Sequence, residues 1–385
     1  MAAKTVLIAG ATGVIGHAAV EHFTGLDGWT TLALSRRRPD IAPDRPYRHV
    51  SVDLRDAEAC REMVRSLPEI THLVYAALYE KPGLVEGWRD PEQMAINLAM
   101  LRNLLDPLAE KSGGLRHVSL LQGTKAYGIH IHRIAVPARE RWHRDPHDNF
   151  YWLQEDYVRE AAARHGFGMT IFRPQVVFGD VAGVAMNLTP VIGAYAAICR
   201  EEGMPFSFPG GPAYVLEAID ARLMAKALAW ATEAPSARNE TFNITNGDVF
   251  VWQNVWPAIA DALGVEPGPD RPLSMGEFLP SKAAVWDRIV ARHGLKPLSL
   301  KEVLGESHHY ADFTFAYGAK HRPPPALVST IKLRQAGFAD CIDTEDMFRD
   351  LFRSLAAKRI LPPTGGGRAA ERSSNDHSTT AGRMT

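Results

Sequence analysis

The sequence predicts an α/β fold, a doubly wound parallel sheet with a smaller, mainly helical C-terminal lobe, and three observations predict it. Short β-rich runs alternate with amphipathic segments through the first half of the chain. A glycine triplet sits where the first strand meets the first helix, and from about Val181 the alternation gives way to a helical pattern. The strands expected in order are Thr5–Ala9, Trp29–Ser35, His49–Val52, His72–Ala76, His117–Leu121 and Met169–Phe172, separated by segments of helical period such as Pro91–Ala109 and Gln154–Arg164. Parallel strands need long crossovers, so these helices are expected to cover both faces of the sheet. Beyond them, Asn187–Glu201 and Ala218–Ala231 read as helices and Glu240–Thr245 as a short strand. Trp252–Leu263 opens the helical lobe, and Gly264–Pro272 is turn-rich.

Composition narrows the function classes. The 385 residues carry 43 Lys plus Arg against 44 Asp plus Glu, a formal charge of −1, which gives no general electrostatic reason to bind nucleic acid or an anionic membrane. No apolar run approaches the ~20 residues that span a bilayer, and the N-terminal MAAKTVLIAG passes directly into a strand without the pattern of an export signal. A soluble cytoplasmic protein is expected. Cys60, Cys199 and Cys341 are too few and too scattered for a disulfide framework or a Cys-x-x-Cys metal site. The 15 histidines show no metal-ligand spacing, so no metal is expected.

The glycine triplet is Gly10-Ala11-Thr12-Gly13-Val14-Ile15-Gly16. Its position asks for a tight turn at Gly10, close approach of a pyrophosphate at Gly13 and close helix packing at Gly16, with helix N-terminal N–H groups facing phosphate. A dinucleotide cofactor in a Rossmann-type domain follows. An NAD site places Asp or Glu at the end of the second strand, whereas this chain reads Leu34-Ser35-Arg36-Arg37-Arg38. A hydroxyl and cations suit a 2′-phosphate, so the expected cofactor is NADPH/NADP+. Asp53, followed by Leu54, sits after the third strand where an adenine amino group could be held. Ala76 and Ala77 end the fourth strand with side chains small enough for the cofactor to lie against the backbone. Residues 1–180, with 214–250 returning to them, are assigned to the NADP-binding domain. Residues 181–213 and 251–362 are assigned to the substrate lobe, and 363–385, rich in Gly, Ser and Thr, to a disordered tail.

Glycine spacing and strand order resemble the extended short-chain dehydrogenase/reductase superfamily, whose usual Tyr precedes a Lys by four residues. Here Tyr127, Tyr151 and Tyr157 are followed at that distance by Ile131, Glu155 and Ala161. Gly123-Thr124-Lys125, followed by Asn149-Phe150-Tyr151-Trp152-Leu153-Gln154-Glu155-Asp156, resembles instead the progesterone 5β-reductase/iridoid synthase-like family. Arg173-Pro174 with Gly179, and Asn243 to Phe250 with Trp252 and Trp256, extend the match from about residue 5 to 340. The sequence departs from that family at Trp152, which stands where the motif has its second Tyr. The resemblance implies Lys125 and Tyr151 as catalytic residues, and adds Tyr151, Pro174, Val176 and Val177 to the cofactor contacts. It further implies a 1,4-reduction in which NADPH delivers hydride to the β-carbon of a small apolar α,β-unsaturated carbonyl compound.

The chemistry is consistent with the residues themselves. Hydride addition leaves negative charge on an oxygen, which donors must meet; a nearby ammonium is expected to lower the Tyr151 phenol below its ordinary pKa of about 10. Glu155 and Asp156 are read as structural acids of a first helical turn. A direct 1,2-reduction of an aldehyde or ketone, and a non-catalytic NADP(H)-sensing module, remain alternatives. A sugar-nucleotide epimerase is disfavoured by the missing Tyr-x-x-x-Lys pair. Met186, Phe206, Phe208, Tyr214, Trp286, Phe313, Phe315 and Phe338 are candidate pocket residues, about a third of them expected to line it, with Asn187 and Tyr310 as polar candidates. A homodimer is compatible with the sequence. The run His130-Ile131-His132-Arg133 has no assigned role.

Overall fold

The computed structural model describes residues 4–364 except 83, 85, 112 and 113; the expected tail lies, from residue 365, outside the described residues. The first half of the chain contributes β1 (Lys4–Ala9), α1 (Val14–Phe23), β2 (Trp29–Leu34), β3 (Arg48–Val50), α2 (Ala57–Ser66), β4 (His72–Tyr75), α3 (Pro91–Lys111), β5 (His117–Leu121), α4 (Phe150–His165) and β6 (Gly168–Pro174). Then follow β7 (Val176–Phe178), α5 (Leu188–Glu202), β8 (Phe206–Ser207), β9 (Ala218–Asp220), α6 (Ala221–Glu233), β10 (Glu240–Ile244), α7 (Trp252–Leu263) and β11 (Pro267–Gly268). The lobe is completed by α8 (Met275–Phe278), α9 (Ala283–His293), α10 (Leu300–Leu304), α11 (Ser307–Thr314), α12 (Ile331–Gln335) and α13 (Thr344–Ala357).

Among the described residues, seven strands form one parallel sheet in the order β10-β6-β5-β4-β1-β2-β3. The chain order reverses beside β1, so the carboxyl ends of β1 and β4 flank the crevice where such sheets bind ligands. The strands read as continuous apolar runs because both faces are covered. Leu7, Leu73 and Val118 pack with Leu104 of α3 and Val158 of α4 on one face. Val6, Ile8 and Val74 pack with Ala19 of α1 and Met224 of α6 on the other. A third cluster forms the lobe, where Trp252 of α7, Trp286 of α9 and Phe348 of α13 are essentially inaccessible to solvent. Burial of side chains of this size stabilises the fold by roughly 1.5–3 kcal/mol each.

Two expected elements change. The helix read over Ala218–Ala231 is a strand and a helix: Ala218–Asp220 pairs with Val176–Phe178, and the Asp220 carboxylate accepts the Arg222 N–H at 2.7 Å, capping α6. An Asp at such a cap satisfies an orphan N–H and so sets the boundary. In the same way α4 starts at Phe150 rather than Gln154, because the Asn149 side chain accepts the Tyr151 N–H at 3.0 Å. No described helix is long and apolar enough to cross a membrane.

Candidate active site

The cofactor cradle is built from the β1–α1 turn. Gly10 has φ +85, and a Cβ there would lie 2.5 Å from the Ala76 carbonyl; a Cβ on Gly16 would collide with the Gly10 carbonyl. Only glycine therefore allows β1, the Ala76–Ala77 backbone and α1 to approach this closely. Ala76 N–H donates to Ala9 O at 2.9 Å, extending the sheet under the turn. Gly13 caps α1 with no side-chain cap, while Thr12, Val14 and Ile15 are half-buried around it. This turn fits a pyrophosphate, since it offers unhindered backbone and helix N–H groups.

At the end of β2, Arg36, Arg37 and Arg38 are exposed. The Ser35 hydroxyl is buried and donates to Arg37 O at 2.6 Å, so Ser35 shapes the basic loop. Asp53 is held bidentate by Arg55 at 2.6–3.2 Å, and this pairing lowers its carboxyl to about 2. Leu54 is buried, and its carbonyl accepts Asn103 Nδ2 at 2.8 Å. Pro174 closes β6 as a buried residue; Val176 and Val177 follow on β7, half-buried.

Gly123 follows β5, and Lys125 lies in the helical turn Thr124–Tyr127. Ala126, Phe150 and Tyr151 share one small apolar cluster, which packs the Lys125 segment against the start of α4. The Tyr151 hydroxyl crosses Gly123 so closely that a Cβ there would lie 3.1 Å from it. Trp152 turns elsewhere, its ring faced by Arg144 at 5.0 Å and Arg173 at 5.6 Å; Tyr151 is thus the aromatic residue of the helix start that reaches the Gly123 strand end.

The electrostatics differ from expectation. Burial raises the Tyr151 phenol above its ordinary value, and the negative charge of Glu80 raises it further. The expected lowering by Lys125 is absent because desolvation dominates and the ammonium is directed to the Trp88 ring, 4.1 Å from its centroid. Lys125 itself is lowered by burial to about 8, with Glu80 opposing the shift. Tyr151 thus keeps its proton and can donate it in a hydrogen bond to a developing oxyanion, while Lys125 is mostly charged near pH 7.

Beneath this pair lies a closed polar network. Gln122 donates to Glu155 at 2.8 Å and accepts from Arg173 at 2.8 Å. Glu155 also pairs with Arg159 at 2.9 Å and Arg144 at 3.1 Å. Burial alone would raise Glu155, but Gln122 and these guanidinium groups outweigh it and lower its carboxyl. Its structural role is therefore supported by geometry.

Four residues absent from the sequence-based selection complete the surroundings. Trp88 faces Phe313 at 5.5 Å between ring centroids, Glu80 accepts from Gln93 at 2.7 Å, and Asp145 accepts from His132 and His147, each at 2.6 Å. His147 in turn contacts the Asn149 amide at 3.1 Å, tying the histidine run to the cap of α4. Asp145, His147 and Asn149 are joined at a spacing of two residues, whereas Trp88 and Glu80 come from a separate loop region. Of the expected pocket residues, Phe206, Phe208, Trp286 and Phe315 are core of the lobe, and Phe338 packs on the sheet domain. Asn187 is fully buried as the cap of α5. Phe313 is half-exposed beside Trp88, and Tyr310 stacks on it at 6.3 Å. His17, Glu21 and Asp180 also converge, with the Lys358 ammonium 3.6 Å from Glu21 and 2.6 Å from Asp180 supplying the positive charge.

Residues 6–245 match the NAD dependent epimerase/dehydratase family. An (S)-8-oxocitronellyl enol synthase of Antirrhinum majus is 30% identical over 377 residues, 92% of each chain. A second, from Camptotheca acuminata, is 33% identical over 378 residues, 92% of this chain and 93% of that protein. A 3-oxo-Delta(4,5)-steroid 5-beta-reductase of Arabidopsis thaliana is 32% identical over 314 residues, 77% of this chain and 79% of that protein. Among solved structures, the Thermus thermophilus UDP-glucose 4-epimerase complex with NAD superposes with a TM-score of 0.61 at 18% identity, covering 91% of this chain and 99% of that one. At that identity the likeness speaks for the fold, a sheet domain that holds a nicotinamide cofactor in its neighbours. By sequence the chain belongs to the NAD dependent epimerase/dehydratase family and, within it, to the progesterone 5β-reductase/iridoid synthase-like oxidoreductases.

Proposed function

We propose that this protein is an NADPH-dependent reductase of α,β-unsaturated carbonyl compounds, with Tyr151 and Lys125 holding the carbonyl oxygen. The observation that carries this reading is the neutral, buried Tyr151 hydroxyl crossing Gly123, beside a segment that presents a recessed ammonium. When bound, NADPH supplies the hydride. Addition at the β-carbon moves negative charge onto the carbonyl oxygen, forming an enolate. A phenol whose pKa is raised retains its proton and donates a hydrogen bond to that oxygen; the Lys125 ammonium adds favourable charge. Donors preorganised in a water-poor site act at low cost as the charge develops. The names of the relatives, an enol synthase and a steroid 5-beta-reductase, support the reaction class. Arg36, Arg37 and Arg38, free of an acidic residue at the end of β2, support NADPH over NADH. Phe313 and Trp88 beside the ammonium support a small apolar substrate.

Incubation with NADPH and a β-substituted enone, followed by product identification, tests this reading. The saturated carbonyl compound is the expected product. An allylic alcohol as the sole product would reassign the protein to 1,2-carbonyl reduction. Tight NADPH binding with no turnover across cyclic and linear enones, aldehydes and ketones would favour a sensing module.

A further inference from the structure

The histidine run that the sequence leaves without a role closes a ring of contacts on the Lys125 segment. Gly128, with φ +74, ends the turn that carries Lys125, and a Cβ there would lie 2.5 Å from His132 Nε2; only glycine lets that imidazole pass so close. The His132 N–H donates to Gly128 O at 3.0 Å, which folds the run back toward Asp145. His132 Nε2 and His147 Nδ1 each meet one oxygen of Asp145 at 2.6 Å. His147 Nε2 lies 3.1 Å from Asn149 Nδ2, and the same Nδ2 donates to the Lys125 carbonyl at 3.4 Å. The two histidines share a carboxylate but face different partners. His132 meets two acceptors, Asp145 Oδ2 and, through Nδ1, the Arg133 carbonyl at 3.1 Å, so its imidazolium form satisfies both; the bond to Arg133 O, with that to Asp145, raises its pKa. His147 meets an acceptor and a donor. Asn149 Oδ1 is committed to the Tyr151 N–H at 3.0 Å, so its amide turns Nδ2, which can only donate, toward His147. His147 Nε2 must therefore accept, and Nδ1 must carry the ring proton to Asp145, which is a neutral imidazole in one tautomer.

We propose that His147 is a positioning residue of this site: oriented by Asp145, its unprotonated Nε2 fixes the Asn149 amide in the one orientation that caps α4 at Tyr151 and grips the carbonyl of Lys125. The proposal rests on the reading of Lys125 and Tyr151 as the oxygen-binding pair. A proton on His147 Nε2 sets N–H against N–H. Asn149 can relieve this only by reversing its amide, which brings its NH2 group against the Tyr151 N–H and gives up the bond to the Lys125 carbonyl. Acid is thus expected to loosen both catalytic segments through one side chain. The other groups around His147 are consistent with its neutral form. Burial opposes ionisation of Asp145, but its bonds to His147 and His132 outweigh this and lower its carboxyl. Asp145 attracts a second proton to His147, and a charged His132 on the same carboxylate offsets that attraction. The His130 ring lies 5.2 Å from His147 and is lowered to about 4 by burial, with Lys125 adding to the shift. Trp152, at 6.2 Å, stands between His147 and the Arg144 guanidinium that faces its ring.

The test reads the imidazole and the rate separately. In the full-length protein labelled with 15N-histidine, the His147 ring signals are assigned by their loss in His147→Gln. At pH 8 His147 is expected as the neutral tautomer with its proton on Nδ1 and none on Nε2. A proton on Nε2 at that pH, alone or with one on Nδ1, overturns the proposal. The rate is followed as kcat/KM with NADPH and a β-substituted enone. His147→Leu is expected to lower it by about 10- to 10²-fold, the order of loss when a catalytic group is misplaced by up to ~1 Å. His147→Gln offers an oxygen to the Asn149 N–H and takes up no proton. It should recover part of the loss, and it should lack the fall in kcat/KM that wild type shows over the pH range in which the His147 signals report protonation. A His147→Leu as fast as wild type, a His147→Gln no faster than His147→Leu, or an acid limb unchanged in His147→Gln overturns the positioning role. If His147→Leu does not fold, the wild-type tautomer and the acid limb of His147→Gln still decide. No product from wild type with any enone would overturn the reductase reading instead, because the tautomer is read without turnover.

Discussion

Beneath Tyr151, Gln122 bridges Glu155 and Arg173, Glu155 is held by Arg159, and Asn149 accepts the Tyr151 N–H. Around Lys125, a few residues away, Glu80 Oε1, Trp88 Nε1 and His130 Nδ1 are buried without a hydrogen-bond partner among the described residues. The two regions use burial in opposite ways. Paired groups in a low-dielectric setting hold each other and fix the start of α4. Unpaired groups carry a desolvation cost. The contrast teaches that the support of Tyr151 and the surroundings of Lys125 should fail differently when altered.

Breaking the paired region should cost stability first. Glu155→Ala leaves the buried Arg173 and the nearby Arg144 and Arg159 without their shared carboxylate. Removing one member of a buried ion pair costs about 3–5 kcal/mol, a large part of the roughly 5–15 kcal/mol that holds a typical domain together. Urea unfolding is expected to show a lowered midpoint with an unchanged slope. A midpoint equal to wild type would mean that the network carries no weight.

Altering the other side should spare the fold and cost turnover. Tyr151→Phe removes one hydroxyl that has no hydrogen bond among the described residues, so its unfolding midpoint should stay near wild type. Loss of one donor to a developing oxyanion lowers kcat by about 10²–10³. NADPH affinity should be unchanged. Turnover equal to wild type would remove Tyr151 from the mechanism and direct attention to Lys125 alone.

How far the sequence foretold this contrast depends on whether a feature is local. The apolar strands and the Gly10–Gly16 turn are written in contiguous runs, and their placement in the fold follows from strand order. The Ser35 hydroxyl could not be read so simply, since its bond to Arg37 O depends on a loop conformation. The helix expected over Ala218–Ala231 failed for a similar reason: its apolar period is continuous, but Asn246 accepts the Asp220 N–H at 2.7 Å from a distant loop and the cap falls at Asp220. Trp88 meets Lys125 and Phe313 across tens of residues, where no spacing rule applies. The Tyr151 pKa was expected in the wrong direction because burial, which sequence shows poorly, outweighs a neighbouring charge.

A third, smaller test asks whether a buried group elsewhere follows the paired or the unpaired pattern. Glu217 has a single oxygen, Oε2, that accepts the Val328 N–H at 2.8 Å and Gln175 Nε2 at 3.1 Å, tying residue 328 to the chain next to Val176. It has hydrogen bonds but no cation, and burial raises its carboxyl to about 7. A pKa raised on folding means that the native state prefers the proton. Stability from this group is therefore complete below the unfolded carboxyl pKa near 4 and is lost as pH rises to about 7. Glu217→Gln keeps an oxygen for both bonds and removes the titration. It is expected to match wild type at pH 4.5 and to exceed it by about 2 kcal/mol at pH 8.5, after allowance for partial solvent exposure. Urea unfolding of both proteins at the two pH values measures this. A difference of the same size at both would show that hydrogen bonding alone governs Glu217. A gain confined to alkaline pH would set Glu217, which folding favours in its protonated form, apart from Glu155, whose carboxyl is lowered by Gln122 and its guanidinium partners.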